Sequence, residues 1–114
     1  MLQGREILIV EDEPLIALDV AQALTDAGAL VTTTATLRQA ITLVENDGLA
    51  AAIVDHALQD GYSDRLCKRL EERSIPFIIY SGFSGSKGHC KNAPQVDKPA
   101  PPQVLIDMVV KLLH

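Results

Sequence analysis

The sequence predicts an α/β domain on a doubly wound, five-stranded parallel sheet, and three observations carry that prediction. Short, continuously apolar runs alternate with longer amphipathic stretches in five repeats along the chain, the pattern of strands covered on both faces by crossover helices. The length, 114 residues, is that of one domain able to build a core without metal or disulfide staples. Its composition, 47% hydrophobic and 22% charged, excludes a disordered chain.

Each element has a local reason. Ile7-Leu8-Ile9-Val10 is apolar throughout, as a central strand must be. Pro14 suits a first helical turn, where its missing N–H leaves nothing unbonded. Ile16, Val20, Leu24 and Ala27 then recur at helical spacing up to the stop at Gly28. A second strand fits Leu30 to Thr34. It is followed by a helix over Leu37 to Glu45, with Ala40, Ile41 and Val44 inward and Asn46-Asp47-Gly48 closing it. The third strand, Ala50 to Val54, ends on Asp55. A loop with Asp60-Gly61 leads to a helix over Ser63 to Arg73, whose Leu66, Cys67 and Leu70 share a face. After Pro76, Phe77 to Tyr80 forms the fourth strand, ending on Ser81.

Gly82 to Pro94 holds almost nothing to bury, and Gly82, Gly85 and Gly88 oppose a helix. A loop, or at most one short helical turn, is expected before a fifth strand at Gln95 to Asp97. The last helix runs from Pro102 to Leu113. Its polar stripe, Gln103, Asp107 and Lys111, is narrow, so Ile106, Val110 and Leu113 read either as covered by neighbouring loops or as a partner surface.

Composition excludes several functions. Fifteen acidic against ten basic residues give a net charge of -5, and aromatics are 4% with no Trp, which argues against direct DNA or RNA binding. No apolar run reaches membrane-spanning length and the start lacks signal-peptide order, so the expected location is cytoplasmic. Cys67 and Cys90 match no metal-ligand spacing and read as free buried thiols. His56, His89 and His114 are scattered, so no transition-metal site is assigned.

In such a sheet the carboxyl ends of the strands share one edge, so residues just after each strand converge. These are Glu11, Asp12 and Glu13 after the first strand, Asp55 after the third, Ser81 at the end of the fourth, and Lys98-Pro99 after the fifth. Crowded carboxylates repel, and a hard cation such as Mg²⁺ (or Mn²⁺) compensates, with Asp12 and Asp55 as direct ligands and Glu11 as a direct or water-mediated one. A carboxylate is also a nucleophile toward phosphorus, provided the phosphoryl oxygens are neutralised by a cation, Lys98 and the Ser81 hydroxyl. The set is that of a phosphoryl-accepting site.

Ile7 to Pro14 (ILIVEDEP), Ala51 to Asp55 (AAIVD), Asp60-Gly61, Ile79 to Gly82 (IYSG) and Asp97-Lys98-Pro99 resemble, over the whole chain, the response regulator receiver domains (CheY-like). The resemblance implies a single receiver domain over 1–114 with a flavodoxin-like sheet of order 2-1-3-4-5. It implies Asp55 as phosphoacceptor, Glu11 and Asp12 as the acidic pair binding Mg²⁺, and the Ala57 backbone carbonyl as a further metal ligand. Ser81 is similar to the family's switch hydroxyl and Lys98 to its lysine, often followed by a cis bond to proline.

Three features depart from the common pattern. The switch-aromatic position falls on Gln95. The stretch from Ser81 to Lys98 is shorter than a full fourth helix usually requires. Pro76 to Ser84 (PFIIYSGFS) is similar to the Pro-Phe-x-Phe-Ala-Thr-Gly-Tyr motif of an atypical single-domain subgroup with a reduced or mobile fourth helix. At the two positions that tune water attack in the family stand Ala57 and Phe83; neither orients a water, which predicts slow self-dephosphorylation.

The implied partners are a sensor histidine kinase or histidine phosphotransfer protein, and a downstream protein met through the 82–94 loop and the final helix. With no output domain after His114, signalling is expected to run through protein contacts. The chain is expected to catalyse only its own phosphorylation and dephosphorylation, not to be a dedicated enzyme. A flavin or nucleotide site would need a Gly-rich turn where Glu11-Asp12-Glu13 stands. An aspartate-nucleophile phosphohydrolase would need a second Asp where Pro14 stands, and residues for a cap. A docking module that no longer depends on phosphorylation is the remaining alternative.

Overall fold

Five parallel strands form the sheet in a computed structural model that describes residues 2–82 and 88–114. The elements are β1 (Glu6–Val10), α1 (Pro14–Asp26), β2 (Leu30–Thr34), α2 (Leu37–Leu43), β3 (Leu49–Val54), β4 (Ala57–Leu58), β5 (Gly61–Tyr62), α3 (Asp64–Glu72), β6 (Phe77–Ser81), a 3₁₀ helix (Gly88–Asn92), β7 (Gln95–Asp97) and α4 (Pro102–Leu113). Sheet order is β2-β1-β3-β6-β7. Counting only the strands of this sheet, that is the expected 2-1-3-4-5. The pair β4–β5 is a separate antiparallel hairpin between β3 and α3, for which the sequence carried no strand signal.

Side chains alternate across the pleat, and this divides the core in two. Ile7, Ile9, Ala51, Ile53, Ile78, Tyr80 and Val96 face α1 and α4. Leu8, Val10, Ala52, Val54, Phe77 and Ile79 face α2, α3 and the 3₁₀ helix. Each fully buried Leu or Ile contributes about 1.5–3 kcal/mol relative to exposure. Gly28, at φ +100°, ends the turn after α1 against Gln3, whose atoms lie 3.1 Å from where a Cβ would sit.

The N-terminus of α2 is capped twice. Thr36 Oγ1 accepts from the Gln39 N–H, and the Asp60 carboxylate accepts from the N–H groups of Leu37 (2.9 Å) and Arg38 (3.2 Å). The Leu37 bond, chiefly, holds the Asp60 carboxyl below its usual range. Asp60 thereby ties the hairpin after β3 to a helix that precedes it by more than twenty residues.

One sequence expectation changes here and another is decided. Cys67 of α3 and Cys90 of the 3₁₀ helix are not free thiols but a disulfide, with Cα atoms 5.2 Å apart. They stand 23 positions apart in sequence, and only the packing of the 3₁₀ helix on α3 brings them together. The surplus apolar residues of α4 are mostly covered, in a cluster that holds α1, sheet and loop residues: Ile106 is buried, while Val110 and Leu113 are half-buried against that cluster. Of the apolar residues on α4, Val104 is the large exposed one. No helix among the described residues is long and apolar enough to cross a membrane.

An ion-pair network joins the turn after α2 to the C-terminal end of α3. Arg69 is bidentate to Glu45, both contacts at 2.6 Å, and Arg73 reaches Glu45 (3.2 Å) and Asp47 (2.7 Å). The hydrogen bonds from Arg69, against some desolvation, bring the Glu45 carboxyl to about 2. A depressed carboxylate adds stability above its unfolded value and loses it as pH falls through the folded one. In unfolding scans, the advantage of the wild type over Glu45→Gln is therefore expected to be full at pH 6, to shrink from about pH 4.5 toward pH 2, and to weaken in high salt.

Candidate phosphoryl-accepting site

The carboxyl ends of the parallel strands bring the predicted residues to one edge. Glu11 follows β1 and is buried; Asp12 beside it is half-buried; Asp55 follows β3 and is buried. Each of these three offers an oxygen within 4.8 Å of the others, a spacing that can hold a metal ion. Lys98, just beyond β7, places Nζ 2.6 Å from Glu11 Oε1 and 2.9 Å from Asp55 Oδ2. Its ammonium also lies 5.6 Å from the centre of the Tyr80 ring.

Charge at this edge is unevenly compensated. Burial pushes the Glu11 carboxyl up; the Lys98 hydrogen bond opposes this, and repulsion from Asp55 adds to it, so the net direction is upward. For Lys98, burial pulls the ammonium down, but its hydrogen bonds to Glu11 and Asp55 outweigh that and the net direction is also upward. One ammonium shared between two buried carboxylates leaves the third, Asp12, to solvent or a cation.

The backbone around Asp55 is pinned by Ser63, which is fully buried. The Ser63 hydroxyl donates to the Asp55 carbonyl, and its N–H donates to the His56 carbonyl at 2.9 Å. Ser63 stands at the N-cap position of α3 without capping it through its side chain. The sequence places Ser63 as the first residue of this helix; its bond to the Asp55 carbonyl is what the structure adds. Ala57 opens β4, and its N–H donates to Asp55 Oδ1 at 3.3 Å.

Ser81 is the last residue of β6 and is buried; its carbonyl accepts from the Lys98 N–H at 3.0 Å. The Lys98-Pro99 bond is cis, as the resemblance implied. Gln95, at the switch-aromatic position, opens β7 opposite Ile79 and is exposed. Phe83, and with it part of the 82–94 loop, lies outside the described residues. Among the described residues Leu15 and Leu18 of α1 are strongly exposed. Leu18 lines a cleft with Glu11, Asp12 and Pro14.

Fold and site together define an acidic-pocket domain of the doubly wound class. Residues 7–109 match the model of the response regulator receiver domain, and the chain belongs to that family, the receivers of two-component systems. No curated protein matches it in sequence. Among solved structures it is similar to a CheY-like response regulator receiver domain protein of Methanospirillum hungatei JF-1, with 25% identity, TM-score 0.88, and 97% of this chain and 94% of that one covered. It is also similar to the receiver domain of a sensor histidine kinase from Pseudomonas aeruginosa PAO1, solved with magnesium in its active-site cleft (24% identity, TM-score 0.84, 96% and 98% covered). A chemotaxis response regulator of Vibrio cholerae shares the fold at 22% identity and TM-score 0.83, with 97% and 100% covered.

Proposed function

We propose that the chain is a working phosphoacceptor: Asp55 takes a phosphoryl group from a phosphohistidine of a sensor histidine kinase or histidine phosphotransfer protein. The observation that carries this reading is Lys98 bonded to both Glu11 and Asp55 beside a third carboxylate. A carboxylate oxygen of Asp55 attacks phosphorus, the P–N bond of the donor breaks, and the imidazole leaves with the bonding electrons. Asp12, Asp55, Glu11 and the Ala57 carbonyl are the groups that would hold Mg²⁺ or Mn²⁺, which when bound neutralises phosphoryl oxygen charge. Lys98 moves its ammonium from the Asp55 carboxylate to a phosphoryl oxygen, and the Ser81 hydroxyl donates to another.

The chain catalyses only upon itself: this transfer, and the attack of water on the acyl phosphate that returns the Asp55 carboxylate and releases inorganic phosphate. Ala57 offers a methyl group where a polar side chain would orient the attacking water, so the phosphoryl group is long-lived. Leu18, exposed on α1 and lining one cleft with Glu11 and Asp12, offers a donor helix an apolar contact at the acidic edge. Among the described residues the one helical element between β6 and β7 is the short 3₁₀ helix at Gly88–Asn92, which is in keeping with the atypical receiver subgroup. Output passes through protein contacts, in the cytoplasm.

Acetyl phosphate with Mg²⁺ is expected to give one phosphoryl adduct by intact mass, absent without the cation and absent in Asp55→Asn. An unmodified wild type that is equally unmodified by histidine kinases would leave a docking module instead.

A further inference from the structure

Lys98 has a long side chain with four torsions, and it sits one residue past β7, an edge strand of three residues. Neither feature fixes an ammonium to within a few tenths of an ångström, as phosphoryl chemistry requires. The neighbouring strand supplies what β7 lacks. The Ser81 carbonyl accepts from the Lys98 N–H. Tyr80, the residue before it, reaches past Lys98: its hydroxyl accepts from the Ala100 N–H at 3.1 Å and donates to the Ala100 carbonyl at 3.3 Å. Between these two anchors the Tyr80 ring lies 5.6 Å from Lys98 Nζ, within the range of cation–π attraction.

We propose that Tyr80 is a positioning residue for Lys98. Its hydroxyl brackets the Lys98-Pro99-Ala100 segment, and its ring face holds the ammonium near the carboxylates. The inference rests on the phosphoacceptor reading for its effect on rate, but not for its geometry. Tyr80 is 6% exposed, and its ring packs in the α1–α4 half of the core; a purely structural role would be to fill that space. Tyr80→Phe separates the two roles, because it keeps the ring and the packing and removes only the bracket.

The test measures three quantities on wild type, Tyr80→Phe and Tyr80→Leu: the maximal rate of phosphorylation by acetyl phosphate, the Mg²⁺ affinity, and the Lys98 Cε resonances in lysine-labelled protein. Tyr80→Phe is expected to slow phosphorylation about tenfold, with Mg²⁺ affinity within twofold of wild type and the Lys98 resonances moved. Tyr80→Leu, which also loses the ring, is expected to be slower still. Unmoved Lys98 resonances with a wild-type rate in Tyr80→Phe would overturn the inference, and so would a parallel loss of rate and Mg²⁺ affinity. A wild type that takes up no phosphoryl group from acetyl phosphate or from histidine kinases defeats the reading of the site, while the Lys98 resonances still decide the role of Tyr80.

Discussion

Reduction of the Cys67–Cys90 disulfide is expected to lower the unfolding free energy by about 3 kcal/mol. The bond closes a loop of the 23 positions between α3 and the 3₁₀ helix, and in the chain-entropy account a loop of that size restricts the unfolded state by about this amount. For a domain of this length the melting temperature then falls by roughly 10 °C or more. The native side points the same way. Cys90 is fully buried in the α2–α3 half of the core, and among the described residues of its segment Ala93 packs there with it. Once the tether is cut, residues 88–92 have little apolar surface to hold them on α3. Unfolding in urea with and without a phosphine reductant, alongside Cys67→Ala/Cys90→Ala, is the measurement. A double variant as stable as the oxidised protein, with a reductant that changes nothing, would exclude a stapling role. In a glutathione-buffered compartment the state of this pair would also set how firmly residues 88–92 are held on α3.

The disulfide marks where the sequence stopped being readable. Apolar runs such as Ile7 to Val10 and Phe77 to Tyr80 announce buried parallel strands, because both faces must be apolar. Pro14, Gly28 and Pro102 punctuate their helices by backbone chemistry alone. Those signals placed Glu11, Asp12, Asp55 and Lys98 at one edge before any coordinates were needed. What the sequence does not encode locally is contact between elements. Cys67 and Cys90 meet only because the 3₁₀ helix packs on α3, and Asp60 caps α2 only because the hairpin folds back over it. Ser63 and Tyr80 escaped for a related reason. A serine at a helix start and a tyrosine within an apolar strand both have ordinary local explanations, and their bonds to Asp55 and Ala100 cross between elements, eight and twenty positions away. The width of the apolar face on α4 was visible, but its cover was not, since α1 lies on it from far away in sequence.

Lys98→Met is expected to cost roughly 2–3 kcal/mol of stability in the absence of divalent cations. The Lys98 side chain is 15% exposed and its partners Glu11 and Asp55 are 4% and 10% exposed, so the variant leaves two buried carboxylates facing each other without a counterion. Removing one member of a buried pair typically costs 3–5 kcal/mol; partial exposure of the lysine and protonation of Glu11, already favoured by its burial, reduce the figure. The sign of the Mg²⁺ response distinguishes electrostatics from lost packing. A cation held by Glu11, Asp12 and Asp55 would offset the repulsion that Lys98 normally relieves, so Mg²⁺ is expected to stabilise Lys98→Met more than the wild type, by linkage to its tighter binding. Asp55→Asn, which removes one of the crowded charges, moves the other way: stability without the cation is kept or raised and the Mg²⁺ increment shrinks. Urea unfolding across a Mg²⁺ series on the three proteins reads both effects. Equal Mg²⁺ increments in wild type and Lys98→Met would mean that the lysine and the cation do not share the same carboxylates. The acidic edge would then be a solvated cluster, and the phosphoryl-accepting reading would lose its electrostatic basis.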